Sequence, residues 1–248
     1  METGTLDFFA LATLLILVVI VPLVGIWDFR RLIRWTEEGR GDARLKTYNW
    51  ILAIEWGLTL GLGALWVASG RDLGTIGLVP DYYAWRWLAV GIGAAASLFM
   101  LWQLYSGIRN PLELKKLRGQ MGELGALAPS TDTEMRTFSM VSVTAGICEE
   151  ILYRGMLLGA LAPVLGLWPA VALSSVVFGM GHMYQGMTGI VKTTLVGLFM
   201  ALLTVFSGSL LVAIVLHSII DLASGRLMGA ALALPGASEE SMGIDDQQ

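Results

Sequence analysis

Histidine and cysteine are nearly missing from this chain: two histidines and one cysteine in 248 residues, with charged side chains making up only 15%. A single cysteine excludes an intrachain disulfide and any cysteine-built metal centre. Sixteen Lys and Arg against twenty Asp and Glu, a net charge of −4, leave no basic footprint for a nucleic acid, and that partner is excluded. No His-Glu-x-x-His pair falls on one helix, which removes the usual zincin arrangement. No Gly-x-Ser-x-Gly elbow occurs either. What the chain has in excess is apolar residues, 55% of the total, with a mean hydropathy of +0.68. Soluble domains run at about 45–50% apolar and about 25% charged, so this is an integral membrane protein.

The hydrophobic pattern predicts an all-α membrane protein, a bundle of about seven to eight transmembrane helices around a polar cavity. Residues 8–27 form an uncharged run of the ~20 residues a helix needs to cross the bilayer. Glu2 and Asp7 precede it and nothing basic does, which reads as a retained first helix and not a signal peptide. Residues 28–46 carry six basic side chains and are assigned to the cytoplasmic side by the positive-inside rule; Gly39-Arg40-Gly41-Asp42, within that loop, is a chance match to an aspartyl-protease motif. The second span, 49–69, is interrupted by Glu55, an acid with no obvious partner that either lies near a headgroup in a structural or interfacial role or faces a cavity, and has Gly57 and Gly61 spaced for close helix approach. An outer turn with Pro80, Tyr82, Tyr83 and Trp85 leads to a third span at 87–105. A second basic loop follows at 106–136, with an amphipathic surface helix within 112–127.

Further spans are expected at 138–163, 168–184, 190–206 and 209–222. The apolar piece 227–234 either extends the last of these or forms a reduced eighth. The expected organisation is one structural domain, with N-terminal helices and basic loops over 1–137, a chemistry-bearing core over 138–234, and a disordered acidic tail over 235–248.

Within that core Cys148-Glu149-Glu150-Ile151-Leu152-Tyr153-Arg154 places two carboxylates and an arginine in a membrane stretch. Each ion at that depth costs at least ~2.5 kcal/mol on insertion scales, so the cluster demands mutual pairing or a wet cavity. Helical geometry puts Glu150 and Arg154 on one face, leaving Glu149 about a quarter turn away and free for other work. The alternative is that both acids serve only as helix-pairing glue.

Both histidines follow this cluster. His182 ends Phe178-Gly179-Met180-Gly181-His182, and His217 begins His217-Ser218-Ile219-Ile220-Asp221, whose ends share a face. Counting helical rise from the cytoplasmic side places Glu149, His182, His217 and Asp221 at roughly 17, 9, 18 and 12 Å, close enough to meet in one pocket. Gly155, Gly159, Gly179 and Gly181 supply small contact faces for that convergence.

A carboxylate beside an imidazole can take a proton from water, and a second imidazole with a polar neighbour can stabilise the resulting oxyanion; that is the equipment of peptide hydrolysis. Glu149, His182 and His217 with an open position are also a ligand set for zinc, so two forms of water activation stand at this point. Cys148 is a poor nucleophile because a thiol in apolar surroundings is not activated.

The ordered motifs Glu149-Glu150-x-x-x-Arg154, Phe178-x-x-x-His182 and His217-x-x-x-Asp221, each on its own apolar helix, resemble the CAAX protease and bacteriocin-processing (Abi) family of intramembrane proteases over roughly residues 138–222. The resemblance implies an eight-helix fold around a conical cavity open to the cytosol and bilayer. It further implies that Glu149 and His182 activate water, that His217 and Asp221 form the oxyanion side, and that Glu150, Arg154 and Phe178 support them. Prenyl-CAAX enzymes usually carry Asn where Asp221 stands, so the resemblance leans to the bacterial branch and a bacterial cell membrane. The expected partners are the lipid bilayer and a peptide or lipidated-peptide substrate. A non-catalytic membrane binder, such as a bacteriocin-immunity protein, and a proton- or metal-coupled transporter are the rival classes.

Overall fold

The computed structural model describes residues 7–76 and 86–235; the turn with Pro80, Tyr82, Tyr83 and Trp85, and the tail beyond residue 235, lie outside them. The described residues are helical with no strands. Five helices are long and apolar enough to cross a membrane: α1 (Phe8–Glu37), α2 (Ala43–Ala68), α3 (Trp87–Gly107), α8 (Met183–Ser207, α-helical from Gly186) and α9 (Leu210–Leu232). Between them lie the surface helix α4 (Pro111–Met121) and α5 (Asp132–Glu150). A π-helical turn, Ile151–Leu157, carries α5 into α6 (Leu158–Leu165), and α7 (Leu167–Gly181) follows. The chain is thus an all-α, multi-pass membrane protein.

Several boundaries differ from the sequence reading for local reasons. The first helix does not stop at residue 27 but runs to Glu37, because Asp28, buried at the next position, is paired to Arg31. Arg31 in turn lies over the rings of Trp27 and Trp35, each at 4.7 Å, so the polar residues continue the helix instead of breaking it. Residues 227–234 do not form a separate helix, since α9 is continuous to Leu232. Gly57 and Gly61 do not mark a close helix approach: a Cβ at either would meet nothing within 4 Å.

Packing centres on α5, which lies against α2 on one side and α9 on the other, while α7 packs on α8 and on the π turn. At its start, α5 carries a capping box in which Thr131 Oγ1 accepts from the Glu134 amide and the Glu134 carboxylate accepts from the Thr131 amide. The same end is tied to α2: Tyr48 donates to the Leu127 carbonyl at 2.8 Å and Arg44 to the Ala126 carbonyl at 2.9 Å. These bonds fix two helices that run in the same direction, so positions a few turns further along each must face one another. At the opposite end Asp7 caps α1 and pairs with Arg71 just past α2. The Ala10 amide, with the Arg71 guanidinium, holds the Asp7 carboxyl below the usual range.

The approach of α5 to α9 has a simple cause. A Cβ on Gly146 would sit 2.2 Å from Ser218 Oγ and 2.9 Å from its backbone nitrogen, so only glycine lets α9 come this close. That contact is one turn below Glu149 and Glu150 and beside His217, and it sets the acidic motif against the histidine motif.

Candidate active site

Glu150 is the fixed point of the cluster. Its side chain is fully buried, and its Oε1 accepts from Arg154 Nη1 at 2.9 Å and from His217 Nδ1 at 2.8 Å. A carboxylate can only accept, so Nδ1 of His217 carries the hydrogen and Nε2 points away from Glu150. There Nε2 is flanked by two further carboxylates, Glu149 Oε2 at 3.8 Å and Asp221 Oδ2 at 3.6 Å. Arg154 is satisfied a second time by the Gly197 carbonyl at 2.9 Å. A side chain at residue 197 would press on Phe178 Cδ1 at 2.8 Å and Arg154 Nη2 at 3.1 Å, which is why this helix offers glycine there.

Phe178 holds the groups together by packing. The Arg154 guanidinium sits 4.2 Å from its ring centre, and Tyr153, His182 and His217 contact it with ring centres 5.2, 5.0 and 5.8 Å away. Such contacts contribute by cation–π and edge-to-face geometry as well as area.

His182 is not inside a helix, as the sequence reading had it, but is the C-cap of α7. Its Nδ1 lies 3.1 Å from the Phe178 carbonyl, so the ring donates there and leaves Nε2 as the free acceptor. A Cβ at Gly179 would meet Thr194 Oγ1 at 2.0 Å and the Ile190 carbonyl at 2.8 Å, and one at Gly181 would meet the Tyr153 hydroxyl at 3.0 Å. These two glycines bring the end of α7 against α8 and the π turn.

Glu149 and His182 both line a cavity of about 220 Å³, with Glu55, Asp28, Tyr153 and Tyr184 on the same wall. His217 and Asp221 are not on that wall, and the single pocket expected for all four groups is therefore two layers. Glu149 and His182 face the void; His217 and the buried Glu150–Arg154 pair lie off it, and so does Asp221, whose side chain is 35% exposed. Asp221 remains within electrostatic reach of His217, Glu149 and His182. Cys148 is fully buried and not on the cavity wall.

Of the two places open to Glu55, a headgroup or a cavity, it takes the second: it reaches the cavity beside Glu149, with the two carboxyls in hydrogen-bonding reach. The signal was present in α2, where Tyr48, Thr59, Leu62 and Trp66 are buried at spacings that put Glu55 on the same inward stripe.

Among the described residues no three His, Cys, Asp or Glu side chains are placed to share one ion. Of the expected set Glu149, His182 and His217, the first two line the cavity and His217 does not.

The acid–histidine cluster thus stands beside a cavity, on helices of an all-α multi-pass membrane protein. Residues 132–223 match the family model described as type II CAAX prenyl endopeptidase Rce1-like. The matched stretch starts at the α5 capping box and ends just past Asp221, so it includes all three motifs. No curated protein and no solved structure matches the chain.

Proposed function

We propose that this protein is an intramembrane endopeptidase of glutamate type that cleaves membrane-associated peptide or lipidated-peptide substrates, with water activated by Glu149 and His182 on the cytoplasmic side of a bacterial membrane. In this reading α5–α6 and α7 complete seven crossings. The first carries too much charge to read as a span by hydropathy, and the second, 15 residues and roughly 22 Å long, is short for a ~30 Å core. The observation that supports the reading is that Glu149 and His182, from separate helices, line one cavity, with His182 Nε2 free to accept.

A water held between them gives its proton to Glu149 while its oxygen bonds to the substrate carbonyl carbon. His217 can donate from Nε2 only as the imidazolium, with Nδ1–H on Glu150 and Nε2–H between Glu149 and Asp221; in that form it is the donor we assign to the oxyanion. The proton taken up by Glu149 then passes to the amine nitrogen as the C–N bond breaks.

The test is cleavage of a proteome-derived peptide library by the purified protein in lipid discs, read by mass spectrometry. Wild type should cut a defined set of bonds, and Glu149→Gln and His182→Ala should each lower turnover by about 10²–10⁴-fold while the unfolding midpoint stays near wild type. Cleavage by Glu149→Gln at the wild-type rate would overturn the reading.

A further inference from the structure

Glu55 lies half way along α2, far from either helix end, on the cavity that Glu149, His182, Tyr153 and Tyr184 also line. The charged groups acting on it are acids, Glu149 and Asp221. One of its oxygens is buried with no hydrogen-bond donor, and so is one oxygen of Glu149. Two carboxyls this close repel when both are ionised and attract when one carries a proton that the other accepts. The placement is no accident of a flexible side chain. Tyr48 and Arg44 lock the start of α2 to the start of α5, and Thr59, one turn beyond Glu55, lies against Cys148, next to Glu149.

We propose that Glu55 is a positioning residue for Glu149: protonated, it donates a hydrogen bond to one Glu149 oxygen, keeps Glu149 as the anion of the pair, and leaves the other oxygen turned to the cavity. This rests on the reading of Glu149 as the group that takes the proton from water. Glu149 has no arginine of its own, because Arg154 is committed to Glu150 and Gly197. Glu55 supplies what a second cation would otherwise supply, a donor that fixes the carboxylate without neutralising it. The acid in α2 lies outside the stretch that matches the family model, so this contact joins the N-terminal helices to the site.

The experiment compares Glu55→Gln and Glu55→Leu in the full-length protein in lipid discs, on the best peptide from the library. Gln donates the same bond through its amide and should hold kcat within about 5-fold of wild type. Leu cannot donate, and kcat should fall about 100-fold, the cost of a misplaced reacting group, with KM changed less than about 3-fold. Infrared difference spectra provide a readout independent of turnover: a protonated-carboxyl C=O band in wild type should be absent from Glu55→Gln. Loss of activity in Gln equal to that in Leu, full activity in Leu, or no band lost in Gln each overturns the proposal. Glu149→Gln separates the two readings. If it is inactive while Glu55→Leu is fully active, only the positioning role fails; if it is fully active, the water-activation reading itself fails.

Discussion

Glu150 Oε1 accepts from Arg154 and from His217 at once, at 2.9 and 2.8 Å, and neither the glutamate nor the arginine side chain has any exposure. The geometry makes Glu150 the orienter of His217, a role in which the carboxylate fixes tautomer and ring plane without touching substrate. Arg154 supplies the counter-charge to that carboxylate where neither side chain has any exposure.

Arg154→Met removes the cation and leaves Glu150 buried with one partner. Breaking a buried pair from one side costs about 3–5 kcal/mol, and the cation–π contact with Phe178 goes with it. The expected result is a large drop in the unfolding midpoint, measured in lipid discs, together with loss of turnover. Glu150→Gln should be milder for stability, since the amide oxygen still accepts, yet it should still lower kcat because its NH₂ group competes for the position that holds His217. A midpoint for Arg154→Met within about 1 kcal/mol of wild type would show that the pair contributes nothing net, as some buried pairs do.

The closeness of α5 to α9 at Gly146 yields a second expectation. Gly146→Ala puts a methyl 2.9 Å from backbone and 2.2 Å from the Ser218 hydroxyl, so the helices must part. Overpacking of this kind costs about 1–3 kcal/mol, and because His217 precedes Ser218, the bond from His217 to Glu150 should lengthen and turnover fall. Gly57→Ala, at a face with nothing nearby, should be neutral or stabilising by about 0.5–1 kcal/mol. Matched thermal and activity measurements on the two variants distinguish a contact glycine from an idle one.

That pair also marks what the sequence could and could not convey. The three motifs were legible because ionisable residues in apolar helices are rare and each carries its own spacing. The i, i+4 relations Glu150–Arg154 and His217–Asp221 are local, and both are seen as contacts. Gly57 and Gly61 looked like contact residues and are not, while Gly146 was passed over. Spacing along one helix does not say which face another helix takes. The choice between headgroup and cavity for Glu55 was undecidable for the same reason, since the carboxyl it meets, Glu149, is 94 positions away. His182 was put within a helix because its flanking residues are apolar, but α7 ends at Gly181 and Gly186 takes φ +75°, a turn that hydropathy does not register. The π turn after Glu150 is equally invisible to a 3.6-residue count; such turns cluster at functional sites.

Metal dependence can be checked directly. Because the described acids and histidines do not converge as three ligands on one point, cleavage should persist after prolonged dialysis against a chelator, and added zinc should not raise it. Inactivation by chelator with recovery on stoichiometric zinc would instead mean that the site rearranges to bring His182 and His217 to a common ion, and the water-activation scheme would have to be rewritten around it.

Asp221 poses the sharpest question about the oxyanion side. An ionised carboxylate cannot donate to an oxyanion, but Asp221 Oδ2 faces His217 Nε2 at 3.6 Å, where it favours a hydrogen on that nitrogen. Its effect on catalysis should therefore pass through His217. Asp221→Asn puts an amide in the same place; its oxygen can still accept from Nε2 and its NH₂ can donate to the oxyanion, so turnover should stay within about 10-fold of wild type. Asp221→Ala removes both and should cost about 10²-fold or more in kcat, on the scale of losing one oxyanion donor. In the background of His217→Ala the further change Asp221→Ala should then add little, because residues acting through one another are not additive. Independent, multiplicative losses in that double mutant would place Asp221 in direct contact with the substrate instead.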